Sequence, residues 1–203
     1  MLAETRTCAH EGVDTYVVRV EARVTKGLPQ LVIVGLPDAA VREGRERVRA
    51  AIRSTVEGFP LGRIVVNLSP ASRRKVGASF DLAVAMALLG AAGLCSRSAL
   101  ESVVFAGELG LDGTLRSVAG ALPTAIATRR AGFPRLVVAA ADAAEAAVCE
   151  GVDVFGVDSL AEALVLVQSD FHVSPAHVDT RALLEREVAL SVDLADVRGQ
   201  PAA

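Results

Sequence analysis

Ser79 is the residue whose surroundings most suggest chemistry. It stands in the segment RRKVGASFDLAVAMALL (73–89), where a cationic run leads through Gly77 into a long apolar helix. Three roles fit a serine at this place: a nucleophile, part of an anion-binding helix start, or the N-cap of the helix. Each role needs different neighbours, so the rest of the sequence helps to discriminate between them.

A serine nucleophile needs a base within hydrogen-bond reach. The histidines lie at the two ends of the chain, which argues against a Ser-His-Asp triad: His10, His172 and His177. A serine–lysine dyad could use only Lys26 or Lys75, because the chain has no other lysine. Spacing alone therefore favours the N-cap, with Ser79 capping the helix and Asp81 in its first turn.

An anion site is the alternative that the spacing leaves open. Gly77 and Ala78 would leave backbone N–H groups free at the helix start, and a basic run (Arg73, Arg74 and Lys75) lies just upstream. Helix N-termini bind phosphates for this reason. The Walker A pattern G-x-x-x-x-G-K-[ST] is absent, so the segment gives no basis for ATP hydrolysis.

A second basic group lies on the first long helix. Its arginines recur every three or four residues and so form one stripe: Arg42, Arg45, Arg49 and Arg53. With Arg73, Arg74 and Lys75 they are the candidate nucleic-acid contacts, and we expect weak phosphate binding without sequence reading. Six Phe, one Tyr and no Trp leave little for base stacking. A solvated helix with Glu–Arg pairs explains the stripe nearly as well.

Composition limits the class of protein. The 203 residues are 52% hydrophobic and carry a net charge of −3, with the basic residues concentrated in the first 75 positions. The apolar runs are too short to cross a membrane, and the N-terminus has no signal core. The cysteines have no metal-ligand or redox spacing: Cys8, Cys95 and Cys149. We therefore expect a cytoplasmic protein with no metal site and no membrane partner.

The order of elements predicts an α/β fold. Strands alternate with amphipathic helices, and Asp112-Gly113 predicts a tight hairpin within the series. The last helix of the series is predicted to be capped by Asp158. The pattern stops near residue 169, so we expect one domain over 1–169. A linker over 170–203 follows, carrying one short helix (180–189).

Three blocks together resemble the N-terminal domain of the ComM/YifB family of bacterial Mg-chelatase-like AAA+ proteins. They are GLPDAAVREGRERVRAAI (35–52), RIVVNLSPASRRKVGASFDLAVAMALL (63–89) and FAGELGLDGTLRSVAGALPTAIA (105–127). The resemblance covers nearly the whole chain and includes DLADVRGQ (193–200), which is similar to the entry into the family's ATPase module. It implies a fold like that of ribosomal protein S5 domain 2, shared with the proteolytic domain of Lon.

The Lon-like part of the resemblance bears on Ser79. Gly77-Ala78-Ser79 occupies a place similar to that of the Lon nucleophile, but Pro123 stands where the Lon lysine would be. The resemblance thus implies a domain without catalytic residues, in which Ser79 caps its helix. A Lon-like serine–lysine peptidase remains the enzymatic alternative.

The ComM-like part implies a role beside a motor. Full-length relatives resemble hexameric AAA+ ATPases that act on DNA in branch migration and natural transformation. The chain ends before any P-loop, so ATP and Mg²⁺ are expected to belong to an AAA+ module outside it. The expected partners are DNA, that module and further copies of the chain. A pure oligomerisation module is the other non-enzymatic alternative.

Overall fold

The structure is a computed structural model that describes residues 2–12, 14–28, 30–57 and 62–180. Its strands are β1 (Leu2–Glu11), β2 (Asp14–Thr25), β3 (Gln30–Val34), β4 (Arg63–Ser69), β5 (Val103–Phe105), β6 (Glu108–Leu109), β7 (Leu115–Arg116), β8 (Arg135–Ala139) and β9 (Asp153–Val157). Its α-helices are α1 (Ala39–Thr55), α2 (Asp81–Ala92), α3 (Arg97–Glu101), α4 (Ala121–Arg130), α5 (Ala143–Ala146) and α6 (Leu160–Gln168). The predicted helix over 180–189 lies outside these residues, apart from its first position.

Seven of the strands form one mixed sheet in the order β3-β4-β2-β1-β5-β8-β9. Strand β2 is antiparallel to both of its neighbours, β1 and β4, and the other neighbouring pairs are parallel. Parallel neighbours need a crossover connection, which helices supply here. The remaining strands, β6 and β7, pair as the hairpin predicted at Asp112-Gly113. The predicted α/β class is confirmed.

Helix α2 is the centre of the core on the first face of the sheet. Every residue from Asp81 to Ala91 is buried, which fits a helix that is apolar on all sides. It packs between the sheet and α1, whose inner residues Val41, Val48 and Ile52 belong to the same core. Helices α3 and α6 complete this layer.

The second face of the sheet is only partly covered. Helices α4 and α5 pack on β1, the first half of β2, β5, β8 and β9 and form a smaller core with Cys8, Val104 and Leu136. Within the described residues no helix packs on the second face of β3, β4 and the later half of β2. The sheet therefore has one open half.

Strand β1 was not predicted from the sequence, although it lies in the middle of the sheet. Its buried side consists of small or polar residues, namely Ala3, Thr5, Thr7 and Ala9. These residues lack the apolar periodicity by which strands are recognised. They fit because α2 lies close above them, where the Thr5 hydroxyl donates to the carbonyl of Ala83 at 2.9 Å.

Two further details concern the C-terminal part. The cap of α6 is Ser159 rather than the predicted Asp158, because the Ser159 hydroxyl accepts a hydrogen bond from the backbone N–H of Glu162 at 3.2 Å. Beyond α6 the chain still contacts the sheet, since the N–H of Ala176 donates to the carbonyl of Val154 at 2.7 Å. The proposed linker over 170–203 stays a prediction.

Candidate functional site

Ser79 does not cap α2, so the N-cap prediction is wrong. The helix begins at Asp81, and Phe80 occupies the N-cap position without a side-chain hydrogen bond. The reason is Gly107, in the loop between β5 and β6. Its N–H donates to the carbonyl of Ser79 at 3.1 Å, and its carbonyl accepts from the N–H of Leu82 at 3.2 Å. A distant backbone thus satisfies the helix start.

An anion site before α2 would need free backbone N–H groups, but the N–H of Gly77 already has a partner. The N–H of Gly77 lies 3.4 Å from Oδ2 of Asp38, and the same carboxylate caps α1 by accepting from Val41 N at 2.8 Å. A carboxylate therefore already faces the loop before α2. This arrangement disfavours a phosphate at the same place.

An ion pair that the sequence analysis missed lies beside Ser79. Arg47 of α1 donates from Nε to Oδ2 of Asp81 at 2.7 Å, and Leu109 N lies 3.3 Å from the same oxygen. The Asp81 side chain is only 3% exposed. Burial raises the pKa of Asp81 to about 6, while Arg47 acts in the opposite direction. This contact joins α1, α2 and the β6–β7 hairpin.

The sequence contained one signal for this ion pair, a glycine in the middle of α1. A Cβ atom at Gly44 would lie 2.3 Å from Oδ1 of Asp81. Glycine is unfavourable inside a helix by about 1 kcal/mol relative to Ala, so its presence there indicates a close approach. The carboxylate of Asp81 reaches Arg47 across that gap.

Lys75 is placed where it cannot meet a phosphate. The residue is fully buried, and Nζ donates to the carbonyl oxygens of Pro70 and, at 2.8 Å, of Arg73. Burial lowers the pKa of Lys75, and the charge of Arg73 lowers it further. Lys75 therefore holds the 70–75 loop in shape, which is a correction to its proposed role as a nucleic-acid contact.

The two arginines of the same loop differ from each other. Arg73 pairs with Glu11, with Nε 2.9 Å from Oε2, and its guanidinium stacks 3.6 Å above the ring of Tyr16. Arg74 is exposed and has no ion pair among the described residues. Of the predicted basic loop, only Arg74 presents an uncommitted charge.

The arginine stripe on α1 lies where the sequence predicted it, on the outer side of the helix. Arg42, Arg45 and Arg53 are exposed and Arg49 is half-buried. Arg42 donates to the carbonyl of Pro37 at 3.3 Å, and Arg45 lies 3.5 Å from Glu46. These contacts are at the surface and leave the guanidinium groups facing solvent.

Pro123, which the family resemblance aligned with the Lon lysine, lies in the first turn of α4. That helix packs on the second face of the sheet, whereas Ser79 precedes α2 on the first face. Proline is tolerated in a first turn because the N–H there has no helical partner. Within the described part of the chain, no three or more His, Cys, Asp or Glu side chains form a group that could hold a metal ion. None of the helices described is both long and apolar enough to span a membrane.

Comparison with known proteins identifies the family. The family model for subunit ChlI of Mg-chelatase matches residues 20–142. Rv2897c of Mycobacterium tuberculosis (strain H37Rv) is 40% identical over 195 residues, which cover 96% of this chain and 38% of that protein. YifB of Escherichia coli (strain K12) is 35% identical over 199 residues, covering 98% and 38%. The competence protein ComM of Haemophilus influenzae is 32% identical over 196 residues, covering 95% and 38%.

The chain therefore belongs to the Mg-chelatase ChlI family, in the group that contains YifB and ComM. It spans about 38% of the length of these relatives. The family resemblance stated from the sequence is confirmed.

Proposed function

We propose that this chain is a non-catalytic domain of a ComM/YifB-type AAA+ ATPase that contacts the phosphate backbone of DNA and contributes to ring assembly. The observation that carries the DNA role is the outward-facing arginine stripe on α1. Its guanidinium groups are presented on a helix whose inner side is packed and whose middle is tied to α2 by Arg47 and Asp81. Cationic groups on a firmly packed surface helix attract phosphates without reading bases.

The stripe supports weak binding by a single copy. Glu43 and Glu46 lie on the same helix and offset part of its charge. Three or four phosphate contacts would give a slope of about −3 for log K against log salt. A ring of domains would multiply such contacts through effective concentration, so weak binding by one copy is compatible with the role.

The wider assignment follows the family. The relative from Haemophilus influenzae is called a competence protein, which supports a role in natural transformation, with DNA branch migration as the motor's task. ATP and Mg²⁺ would bind the AAA+ module, since this chain has no Walker A pattern. The proposal includes a cytoplasmic location and an S5-domain-2-like fold of the Lon type.

The positions of three residues support a domain without peptidase activity. Ser79 is buried, Lys75 donates to two carbonyl groups, and Pro123 lies on a helix of the other face. A serine without a neighbouring base is a weak nucleophile. Labelling with a serine-reactive probe tests this directly: labelling that disappears in Ser79→Ala would establish the peptidase alternative.

The DNA role is tested with the purified chain and a fluorescently labelled 30-base-pair duplex. Arg45→Ala/Arg53→Ala removes two exposed charges from the stripe, and Arg97→Ala/Arg130→Ala removes two exposed charges elsewhere. Anisotropy titrations at 50 and 150 mM salt should show weak binding by the wild type that falls as salt rises. Absence of binding at low salt would assign DNA contact to the motor alone.

Ring assembly is supported by a separate observation at the sheet edge. In the part of the chain that the structure describes, strand β3 pairs on one side only, and the large apolar residues near it are exposed: Leu28, Val34, Leu36 and Val76. Exposed strand edges with apolar neighbours favour association with another chain. Light scattering at increasing protein concentration should show self-association that Val34→Lys weakens. A strictly monomeric chain at high concentration would contradict this part.

A further inference from the structure

The open half of the second sheet face carries its own pattern of charge. We call it the open sheet face and define it by the following residues: Glu4 and Arg6 of β1, Arg19, Glu21 and Arg23 of β2, and Arg63, Val65 and Asn67 of β4. Alternate residues of a strand share a face, and the buried residues between these ones, such as Val18, Val20 and Ala22, belong to the core of the first face.

Strand register brings like charges next to each other on this face. Arg6 lies opposite Arg19, and Glu4 lies opposite Glu21. Like charges directly opposite on neighbouring strands are destabilising. Two ion pairs offset this repulsion: Glu4 pairs with Arg6 of the same strand, and it lies 3.6 Å from Nε of its diagonal neighbour Arg19.

The carboxylates of the open sheet face have hydrogen-bond or ion-pair partners within the sheet. Glu21 accepts a hydrogen bond from Nδ2 of Asn67 at 2.8 Å and lies 3.9 Å from Arg19. The side chains of Glu4 and Glu21 are 25% and 29% exposed, whereas that of Arg19 is 54% exposed. The acidic groups and Arg6, whose side chain is 17% exposed, are thus recessed, and the guanidinium group of Arg19 stands further out.

Two arginines of the face have no acidic partner among the described residues. Arg23 and Arg63 are exposed and make no ion pair with any residue that the structure describes. Their positions are diagonal neighbours, since Arg23 pairs in register with Val65 and Thr25 with Arg63. Beside them Arg6, Arg19 and Ser69 help to line a shallow cleft. The surface that solvent meets is therefore positive.

We propose that the open sheet face binds a nucleic-acid backbone, with Arg19, Arg23 and Arg63 contacting phosphates. This inference rests on the proposed DNA role and names a second surface for it, one that binds the duplex more tightly than the α1 stripe does. Diagonal neighbours lie about 7–8 Å apart, and four residues along a strand span about 13 Å. One strand of DNA carries a phosphate about every 3.4 Å along its axis, and because the strand winds around that axis its neighbouring phosphates lie further apart in space. The arginines are therefore far enough apart to contact separate phosphates of one backbone.

The chemistry of the face favours backbone contact over base reading. No aromatic side chain belongs to the defined face, so it offers no platform on which bases could stack. Arginine binds phosphate oxygens through two N–H groups at once, which suits a guanidinium held at a sheet surface. Binding through this face is independent of base sequence and decreases with salt.

The open sheet face and the arginine stripe of α1 are on opposite sides of the sheet. Helix α1 packs on the first face, and the open sheet face is part of the second. A straight duplex cannot lie along both surfaces of one copy. Substitutions on one surface therefore test its contribution to DNA binding independently of the other surface.

The test compares Arg23→Gln/Arg63→Gln with Arg97→Gln/Arg130→Gln, which removes the same charge from exposed positions outside the face. Affinity for a labelled 30-base-pair duplex is measured by anisotropy at 50 and 150 mM salt, with thermal denaturation as a check on folding. The face variant should bind at least about tenfold more weakly, because charge-assisted hydrogen bonds are lost. Its salt slope should decrease by about 2, while the control stays close to the wild type.

A gain-of-affinity variant keeps the inference testable if the double variant folds poorly. Glu21→Gln removes a recessed negative charge but keeps a side-chain oxygen that can accept from Asn67. It should tighten binding severalfold at 50 mM salt. Arg23→Lys/Arg63→Lys should retain more affinity than the glutamine variant.

The outcomes separate this inference from the function on which it rests. Wild-type binding that the Arg23/Arg63 and Glu21 variants leave unchanged overturns the open sheet face and leaves the α1 stripe as the contact. No binding of the duplex by the wild type overturns both. A change in self-association without a change in DNA affinity also overturns the inference, because the face would then be a protein interface.

Discussion

The Nε atom of Arg47 lies 2.7 Å from Oδ2 of Asp81, and through this contact the outer helix α1 is joined to the buried helix α2. Asp81 begins α2, directly after the segment in which Ser79 stands. The ion pair therefore holds the elements that surround the most chemically suggestive residue of the sequence. Its energetics can be measured separately from any activity.

Arg47→Ala should destabilise the chain strongly. Removing one partner of a buried ion pair leaves an uncompensated charge, which costs about 3 kcal/mol or more. Arg49→Ala on the same helix is the control, because Arg49 is half-buried and has no ion pair among the described residues. Urea denaturation at pH 7.5 measures both; equal losses for the two variants would show that the ion pair contributes nothing specific.

The pH dependence of stability should report the burial of Asp81. Its pKa in the folded chain is about 6, raised from an ordinary value of 3.8 by burial. The folded state therefore binds the proton more tightly than the unfolded state, so the contribution of Asp81 to stability is greatest below pH 3.8. That contribution falls as pH rises through about 6.

The measurement is the difference in free energy of unfolding between the wild type and Asp81→Asn at several pH values. This difference should decrease between about pH 4 and pH 7, because only the wild type titrates at this position. All other titrating groups are the same in both chains, so their contributions cancel in the difference. A difference that is constant, or that grows with pH, contradicts the assigned direction.

Gly35→Ala should be much more costly than Gly77→Ala. Both glycines have positive φ, +101° and +95°, so both substitutions carry the left-handed penalty of about 1–2 kcal/mol. At Gly35 the added Cβ would also lie 2.1 Å from the carbonyl oxygen of Leu68, whereas nothing lies within 4 Å at Gly77. Thermal denaturation should show a clearly larger loss for Gly35→Ala, and similar losses would mean that β3 and β4 are not this close.

Ser79→Ala should change stability little, within about 0.5 kcal/mol, because the hydroxyl caps no helix. Ser159→Ala is the matched substitution at a true N-cap and should cost about 1 kcal/mol. Denaturant titration of both variants decides the matter. A loss at Ser79 equal to that at Ser159 would restore the capping role that the sequence predicted.

Local patterns predicted much of this fold. The alternating apolar residues of β2, the one-sided apolar face of α1 and the Asp-Gly turn of the β6–β7 hairpin are each encoded within a few residues. The arginine stripe was also predictable, because helical periodicity alone puts Arg42, Arg45 and Arg49 on one side. Burial of α2 followed from its uniformly apolar sequence.

Long-range contacts decided what the individual polar residues do. Ser79 lost its capping role because the backbone of Gly107 satisfies the start of α2. Lys75 is buried because the 70–75 loop folds back over its amine and supplies carbonyl acceptors. Hydrophobic periodicity predicts neither the contact with Gly107 nor the burial of the Lys75 amine.

The sequence by itself determined the α/β class, the family and most element positions, because hydrophobic periodicity and turn residues act over short distances. Only the tertiary structure decided that Arg47 meets Asp81 and that α4 and α5 leave half of the sheet open. The physical reason is that strand order and the side on which each helix packs depend on contacts between residues far apart in the chain. Those contacts, rather than spacing, select which charges are buried in pairs and which face solvent.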